Sequence, residues 1–325
     1  MRKIITFVTV IISIILFYFT INSAVDVFYA DWQIPETTAD HSIHNRIVLI
    51  TRELDTPFWE KVSEGAKDQA RNEGARLEVW GSYAGNQEDF LKQIDIAIYA
   101  KVDGIIVQGL GTDEFKELTK VKAASHGIPI ITVANDVPME ESLRKTYVGS
   151  DHYLAGELIA NQLIKDMGTA GQVIIMKDSK EQYYQKQRLS GIQDVLVNYP
   201  NIEFIVAESS ESREDGVGTT KDLLNRHPNV NAFIAVNATF ASHIVEEISR
   251  RTKVENYHIY SFDEDSASCL LLKQGTLDAM VEQSPKRMGE RSVSLMMKWL
   301  KDGTEPLELD GYHTDIELVK AADVQ

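Results

Sequence analysis

The sequence predicts an α/β fold of two Rossmann-like, doubly wound parallel-sheet lobes preceded by one transmembrane helix, and three observations carry that prediction. Short β-branched runs recur along the chain, each followed by a stretch of helical period. Most of these runs lack polar alternation, as strands covered by helices on both faces do. About 280 residues of such units exceed the usual single sheet, so two lobes are expected.

The amino terminus comes first. Arg2 and Lys3 precede an uncharged, mostly apolar run over residues 4–21, and acidic Asp26, Asp31 and Glu36 follow it. Basic before and acidic after puts the amino terminus inside and the rest of the chain outside. At 1.5 Å per residue the run makes a helix of roughly 27 Å, close to a hydrocarbon core and longer than the apolar region of a signal peptide. A cut after Ala24 or Ala30 would put Asn22 or Phe28 where a signal peptidase wants a small residue. No cysteine lies near the end of the run for lipid attachment. The expectation is an uncleaved single-pass anchor over residues 1–30, with a cleaved secretory signal as the alternative, since the length falls near the boundary between the two. Residues 31–45 are polar and aperiodic and read as a tether. His41 and His44 there read as solvated linker rather than metal ligands, because nothing nearby completes a coordination shell.

The strand candidates are residues 47–51, 77–80, 105–107, 130–133, 173–176, 202–206, 232–236 and 259–262, with a further one over 278–282. Between them lie helices such as residues 57–72, where Phe58, Val62, Ala66 and Ala70 repeat every four residues. Thr56 supplies a capping oxygen and Pro57 suits the first helical position. With 43% hydrophobic residues in 325, the core is substantial. The net charge of -16 excludes a nucleic-acid partner and a flat-lying anionic membrane, both of which need a basic face. The single cysteine, Cys269, rules out an internal disulfide and reads as a buried, inert thiol.

Ligands of doubly wound sheets bind at the carboxyl ends of the strands. The residues there are Glu53 to Trp59 after the first run, Ala134-Asn135-Asp136 after the fourth, and later Asn237, Asp263 and Gln283-Ser284-Pro285. Aromatics stack on the apolar C–H faces of a sugar, and carboxylates, amides and a cation match its hydroxyl rim. Lys186 or Arg188 supplies the cation. Taken singly, Phe58 and Trp59 also read as core anchors and the polar groups as helix caps. Gly109-Leu110-Gly111 mimics a dinucleotide loop, but Glu114 in the third glycine position would repel pyrophosphate, so a turn is the better reading. Asp263-Glu264-Asp265 lacks the spacing of a calcium loop and reads as a helix start. No nucleophile elbow, zinc-helix motif or phosphate loop appears, so neither metal nor cofactor is expected.

From about residue 46 to 319 the chain resembles the type I periplasmic sugar-binding proteins, the ribose- and galactose-binding group, which share their fold with the ligand domains of lactose-repressor-type regulators. The segments that carry the resemblance are Thr56-Pro57-Phe58-Trp59, Val102-Asp103-Gly104-Ile105-Ile106, Gly127-Ile128-Pro129-Ile130-Ile131-Thr132 and Tyr147-Val148-Gly149-Ser150-Asp151. To these are added residues 231–237, Ser261-Phe262-Asp263 and residues 283–289. The resemblance implies two lobes joined by a three-segment hinge, residues 46–150 plus about 284–308 forming lobe 1 and 151–283 plus about 309–325 forming lobe 2. It implies that Phe58 and Trp59 stack on a sugar ring while Asn135, Asn237, Asp263 and Gln283 bond its hydroxyls, joined by Asp136 and by Lys186 or Arg188. Lys186 stands where the family's usual arginine is, with Arg188 two places on, and this departure counts against ribose, since an ammonium does not reproduce the guanidinium fork. Glu211 or Ser212 falls where another aromatic is common, leaving one aromatic face.

The expected role is that of a membrane-anchored receptor, outside the cytoplasm and not an enzyme, that closes on a monosaccharide and signals to a membrane sensor histidine kinase controlling sugar uptake. Its alternative is the substrate-binding component of an ABC sugar transporter. An intracellular regulator of the lactose-repressor type would need an amino-terminal helix-turn-helix, and residues 1–45 are apolar and then acidic.

Overall fold

A computed structural model describes residues 15–21, 45–180, 182–251, 257–263, 266–303 and 305–323. The chain divides into two units, residues 1–43 and 44–325. In the first, residues 15–21 are helical; the rest of the expected anchor and the tether lie outside the described residues. Among the described residues no helix is long and apolar enough to cross a membrane.

The second unit alternates strand and helix as its hydrophobic pattern demands. It opens with β1 (Arg46–Thr51), α1 (Pro57–Glu73), β2 (Arg76–Gly81), α2 (Gln87–Tyr99) and β3 (Gly104–Gln108). There follow α3 (Asp113–Lys116, running on as a π-helical stretch over Glu117–Ala123), β4 (Ile130–Val133), α4 (Met139–Ser142) and β5 (Thr146–Gly149). The chain then crosses to a second set: α5 (His152–Met167), β6 (Gly171–Asp178), α6 (Tyr183–Leu196), β7 (Ile202–Ser209), α7 (Arg213–Arg226), β8 (Ala232–Ala235), α8 (Ala238–Ser249), β9 (His258–Phe262), α9 (Ser266–Lys273) and β10 (Ala279–Glu282). It returns as α10 (Pro285–Asp302) and β11 (Tyr312–His313), and crosses a third time to β12 (Glu317–Lys320).

Two six-stranded sheets result, ordered β11-β5-β4-β3-β1-β2 and β12-β10-β9-β8-β6-β7. Two details differ from expectation. Tyr312 and His313 pair with Val148 and Gly149, so the third crossing follows His313 rather than residue 308. The final strand runs antiparallel to β10, because the returning chain enters that edge from the hinge end. An antiparallel edge strand on an otherwise parallel sheet is common in doubly wound folds. The three crossings are tied to one another: Thr314 N donates to Gly149 O at 2.8 Å, Ser284 Oγ to Asp315 O at 2.8 Å, and Ser150 Oγ to Gln283 Oε1 at 2.6 Å.

The inner strands such as β1, β3, β4 and β8 bury both faces, which is why their runs read as continuous. Ile47 and Leu49 face α1 and α10, whereas Val48 and Ile50 face α2 and α3. In the second lobe Val173 and Ile175 meet α5 and α6 while Ile174 and Met176 meet α7 and α8. Cys269 is half-buried at the edge of this last cluster, rather than fully enclosed. The predicted start of α1 is present: Thr56 Oγ1 accepts from Trp59 N, and Gly74, at φ 69°, closes the other end.

One helix pair in each lobe packs backbone to backbone across glycines. A Cβ on Gly65 would lie 2.0 Å from Lys286 O and one on Gly289 2.0 Å from Val62 O, which brings α1 against α10; Gly156 and Gly191 do the same for α5 and α6. Gly218, in contrast, sits on an exposed turn of α7 with nothing within 4 Å of an added Cβ. Gly65→Ala is therefore expected to destabilise the domain by about 1–3 kcal/mol through overpacking. Gly218→Ala is expected to stabilise it by about 0.5–1 kcal/mol by removing backbone entropy from the unfolded chain. Urea denaturation of the two variants checks the opposite signs.

Candidate functional site

The carboxyl ends of both sheets open onto one cavity of about 580 Å³, walled by residues of both lobes. A second cavity of about 490 Å³ belongs to the lobe of β1 alone and is lined largely by apolar groups such as Ile128, Pro129, Trp299 and Leu307. The interlobe cavity is the candidate site, because charged and amide groups from the strand ends of both sheets converge there.

Its floor is built around Arg188, on the inner face of α6 and 1% exposed. The guanidinium is sandwiched by the Tyr184 ring at 5.0 Å and the Phe262 ring at 4.6 Å. It grips Asp263 as a fork, Nη1 to Oδ2 at 2.8 Å and Nη2 to Oδ1 at 2.7 Å, while Nη1 also donates to Val236 O at 2.8 Å and Nε to His152 Nδ1 at 3.3 Å. Of five N–H groups, one on Nη2 is left over. Asp263 also accepts from Gln283 Nε2, and one lone-pair site remains on Oδ2. Burial pushes the Asp263 carboxyl up, but the charge and hydrogen bonds of Arg188 outweigh it and hold the carboxyl below its ordinary range. Ala134 and Asp263, the residues that follow β4 and β9, both adopt left-handed backbone, φ 62° and 71°. Such conformations are strained for a non-glycine residue and concentrate at functional sites.

His152 is the other buried polar group at this level. An arginine only donates, so Nδ1 is its acceptor and the proton sits on Nε2, which donates to Ala134 O at 3.1 Å. Burial, and next the charge of Arg188, lower the His152 pKa to about 3.

Of the residues expected from sequence, Phe58, Trp59, Asn135, Arg188, Asn237, Asp263 and Gln283 line the cavity. Trp59 does so from within the lobe core, only 2% exposed and edge-on to Phe58 at 5.6 Å. Among the described residues the Asn135 side chain meets no hydrogen-bond partner, whereas Asn237 caps α8 through Phe240 N and donates to Glu211 Oε1 at 2.8 Å. Two expected residues stand elsewhere. Asp136 turns away from the cleft to pair with buried Arg144 at 2.7 Å and to accept from Thr132 at 2.6 Å, which ties the end of β4 to the segment before β11 through Arg144 Nη1 and Leu309 O. Lys186 is exposed and does not line the cavity; helical period puts it two residues, about 200°, from Arg188, so only one of them can face inward. The fork thus belongs to Arg188, and the sequence argument against ribose that rested on Lys186 falls.

Sequence reasoning missed Arg52, Gln108, Lys180 and Tyr184, which also line the cavity. Gln108 directly ends β3 and was open to the strand-end rule; its Oε1 accepts from Thr51 Oγ1 and Arg52 N, both at 2.9 Å, leaving the amide donors for the cavity. Lys180 and Tyr184 lie beyond the end of β6 and carry no local signal. Glu211 is solvent-accessible yet stands between the two walls; this enclosure first, then Asp178 and Glu53, raise its carboxyl pKa.

Two lobes, three tied crossings and a polar cavity between strand ends define a two-lobed binding protein with a cleft for a small ligand. Residues 47–305 match the periplasmic binding protein domain, and the chain belongs to that family. It is similar to the ribose import binding protein RbsB of Bacillus subtilis, 24% identical over 288 residues that span 87% of this chain and 89% of the relative. Among solved structures it is similar to GanP, a glucose-galactose binding protein from Geobacillus stearothermophilus, with 29% identity, a TM-score of 0.80, and coverage of 86% of this chain and 98% of GanP. It is also similar to the XylFII-LytSN complex, at 27% identity and a TM-score of 0.74, over 86% of this chain and 99% of that one.

The depressed pKa of His152 has a signed consequence for stability. An unfolded histidine takes up its proton near pH 6.5 and the folded one only near 3, so the unfolded state binds more protons between these values and stability falls as pH drops through that window. Asp263, with its lowered pKa, adds a loss only below the usual carboxylate range. The drop in Tm from pH 7 to pH 5 is expected to be smaller in His152→Gln than in the wild type, and equal drops would contradict the assignment.

Proposed function

We propose that this chain is an extracytoplasmic, membrane-anchored receptor that closes on a small sugar and presents its closed shape to a membrane sensor histidine kinase controlling sugar uptake. It binds without chemical change. The observation that carries the ligand class is the Arg188–Asp263 fork, which lines the cavity and leaves one donor on Nη2 and one acceptor site on Oδ2, at its two ends. A hydroxyl is the group that both accepts and donates at one atom, and a polyol repeats it around a ring. The free amide groups of Asn135 and Gln108 extend the same pattern along the first lobe. Phe58 and the edge of Trp59 supply the apolar face.

Glu211 refines the reading. A carboxylate replaces the second stacking ring, and its remaining oxygen calls for hydrogen-bond donors on the sugar face turned toward lobe 2. Two kinds of partner suit such a receptor. The kinase reading is supported by the apolar run over residues 4–21, which would hold the receptor beside a membrane sensor, and by the similarity to XylFII in its complex with LytSN. The ABC-transporter reading is supported by the relative named for ribose import. Purification in mild detergent separates them, since recovery of permease subunits without a kinase would overturn the signalling role.

The ligand class is checked by thermal shift against a monosaccharide panel. One sugar at 100 times its dissociation constant should add about 2.7 kcal/mol of stability, and Asp263→Ala should abolish the shift. A panel without any shift would remove the sugar.

A further inference from the structure

The polar groups beneath the cavity form a circuit rather than a set of separate contacts. Starting in lobe 1, Ala134 O accepts from His152 Nε2 at 3.1 Å; His152 Nδ1 accepts from Arg188 Nε at 3.3 Å; Arg188 holds Asp263; Asp263 accepts from Gln283; and Gln283 accepts from Ser150 Oγ at 2.6 Å. The circuit closes through Tyr147, whose hydroxyl lies 3.0 Å from Ala134 O and 3.1 Å from Ser150 O. Its single proton serves one of these carbonyls at a time. Gly149 makes room for that hydroxyl, since a Cβ there would lie 2.0 Å from it.

Each member has a distinct mechanical position. Ala134 and Tyr147 belong to lobe 1, Ser150 and Gln283 to two of the hinge crossings, and Arg188 and Asp263 to lobe 2. His152 is the first residue of α5, immediately past the first crossing. The circuit also separates two cavities: Arg188, Asp263 and Gln283 line the ligand cleft, while Tyr147, Ser150 and His152 line a cavity of about 300 Å³ on the other side of the hinge, shared by both lobes. A lobe rotation that opens the cleft has to change the distance between Ala134 O and the His152 ring or drag Arg188 with it. The left-handed backbone of Ala134 turns the next residue, Asn135, toward the cavity, so this carbonyl is one peptide from a ligand-facing side chain.

We infer that His152 is a positioning residue that couples capture of ligand by Arg188 and Asp263 on lobe 2 to the placement of Asn135 on lobe 1, and thereby sets the balance between open and closed lobes. The inference rests on the binding-protein reading above but not on the identity of the sugar. The ring is suited to the task because it accepts at one edge and donates at the other, and with its pKa lowered to about 3 it is neutral at pH 7. A protonated ring would confront Arg188 with a second cation.

The test compares His152→Gln, whose amide can accept from Arg188 and donate to Ala134, with His152→Phe, which fills the space and does neither. Spin labels at Lys92→Cys on α2 and Lys221→Cys on α7, in a Cys269→Ser background, report the interlobe distance in the full chain without ligand. Both label positions are exposed. The wild type and His152→Gln are expected to share one distance distribution, and His152→Phe to give a broader or longer one. With a sugar that binds the wild type, His152→Phe should lose about five- to thirty-fold in affinity, the effect of leaving buried polar groups unpaired, while His152→Gln stays within about threefold. Tyr147→Phe, which deletes the second donor to Ala134 O with almost no change of shape, carries the comparison should His152→Phe not fold, and is expected to broaden the distribution to a smaller degree. Unchanged distributions in the phenylalanine variants would overturn the inference. Failure of every sugar to bind the wild type would instead overturn the sugar reading, and the ligand-free distances would still decide the role of His152.

Discussion

The guanidinium of Arg188 is the constraint around which the binding half of this molecule is organised. It is a permanent charge removed almost entirely from water, and such a charge persists only when its donors are satisfied and an anion stands opposite. Asp263 supplies the anion, Val236 and His152 take further donors, and two aromatic rings cover the faces. Losing one partner of such a pair typically costs about 3–5 kcal/mol, because the other charge is left uncompensated. The positions of α6, β8, β9 and the hinge are thus interdependent through one side chain.

That dependence explains the economy of the site. Groups satisfied by one another spend most of their hydrogen-bonding capacity internally and leave a small, fixed remainder toward the cavity. A fixed remainder is what discrimination among stereoisomeric hydroxyls requires, since a group free to rotate would meet several sugars equally well. The mouth of the cavity is different: Arg52, Glu53, Lys180 and Glu211 bring charges of both signs from both lobes. The floor is suited to recognition, and the mouth to electrostatic attraction between lobes as the gap narrows.

The two halves solve the same packing problem twice. Each buries a parallel sheet between two helical layers, and each presses one helix pair into backbone contact across small residues. Lobes packed in this way join only at the three crossings. There the mutual hydrogen bonds of Gly149, Ser150, Gln283, Ser284, Thr314 and Asp315 keep the strands in register.

Local sequence determined the elements and the strand-end location of the site, because hydrophobic period and cap chemistry act over a few residues. Thr56 and Pro57 begin a helix wherever the chain goes, and strand ends such as Asn135, Asn237 and Asp263 are legible once strands are assigned. The tertiary structure alone decided which polar groups face the cavity and which are consumed elsewhere. Asp136 sits next to Asn135 yet serves Arg144, and Lys186 sits two residues from Arg188 yet faces out. The late return of β11 to the first sheet and the bond from His152 to Ala134 were equally invisible, for the same reason: pairing between groups far apart along the chain depends on the closure of the fold, and no short stretch of residues records it.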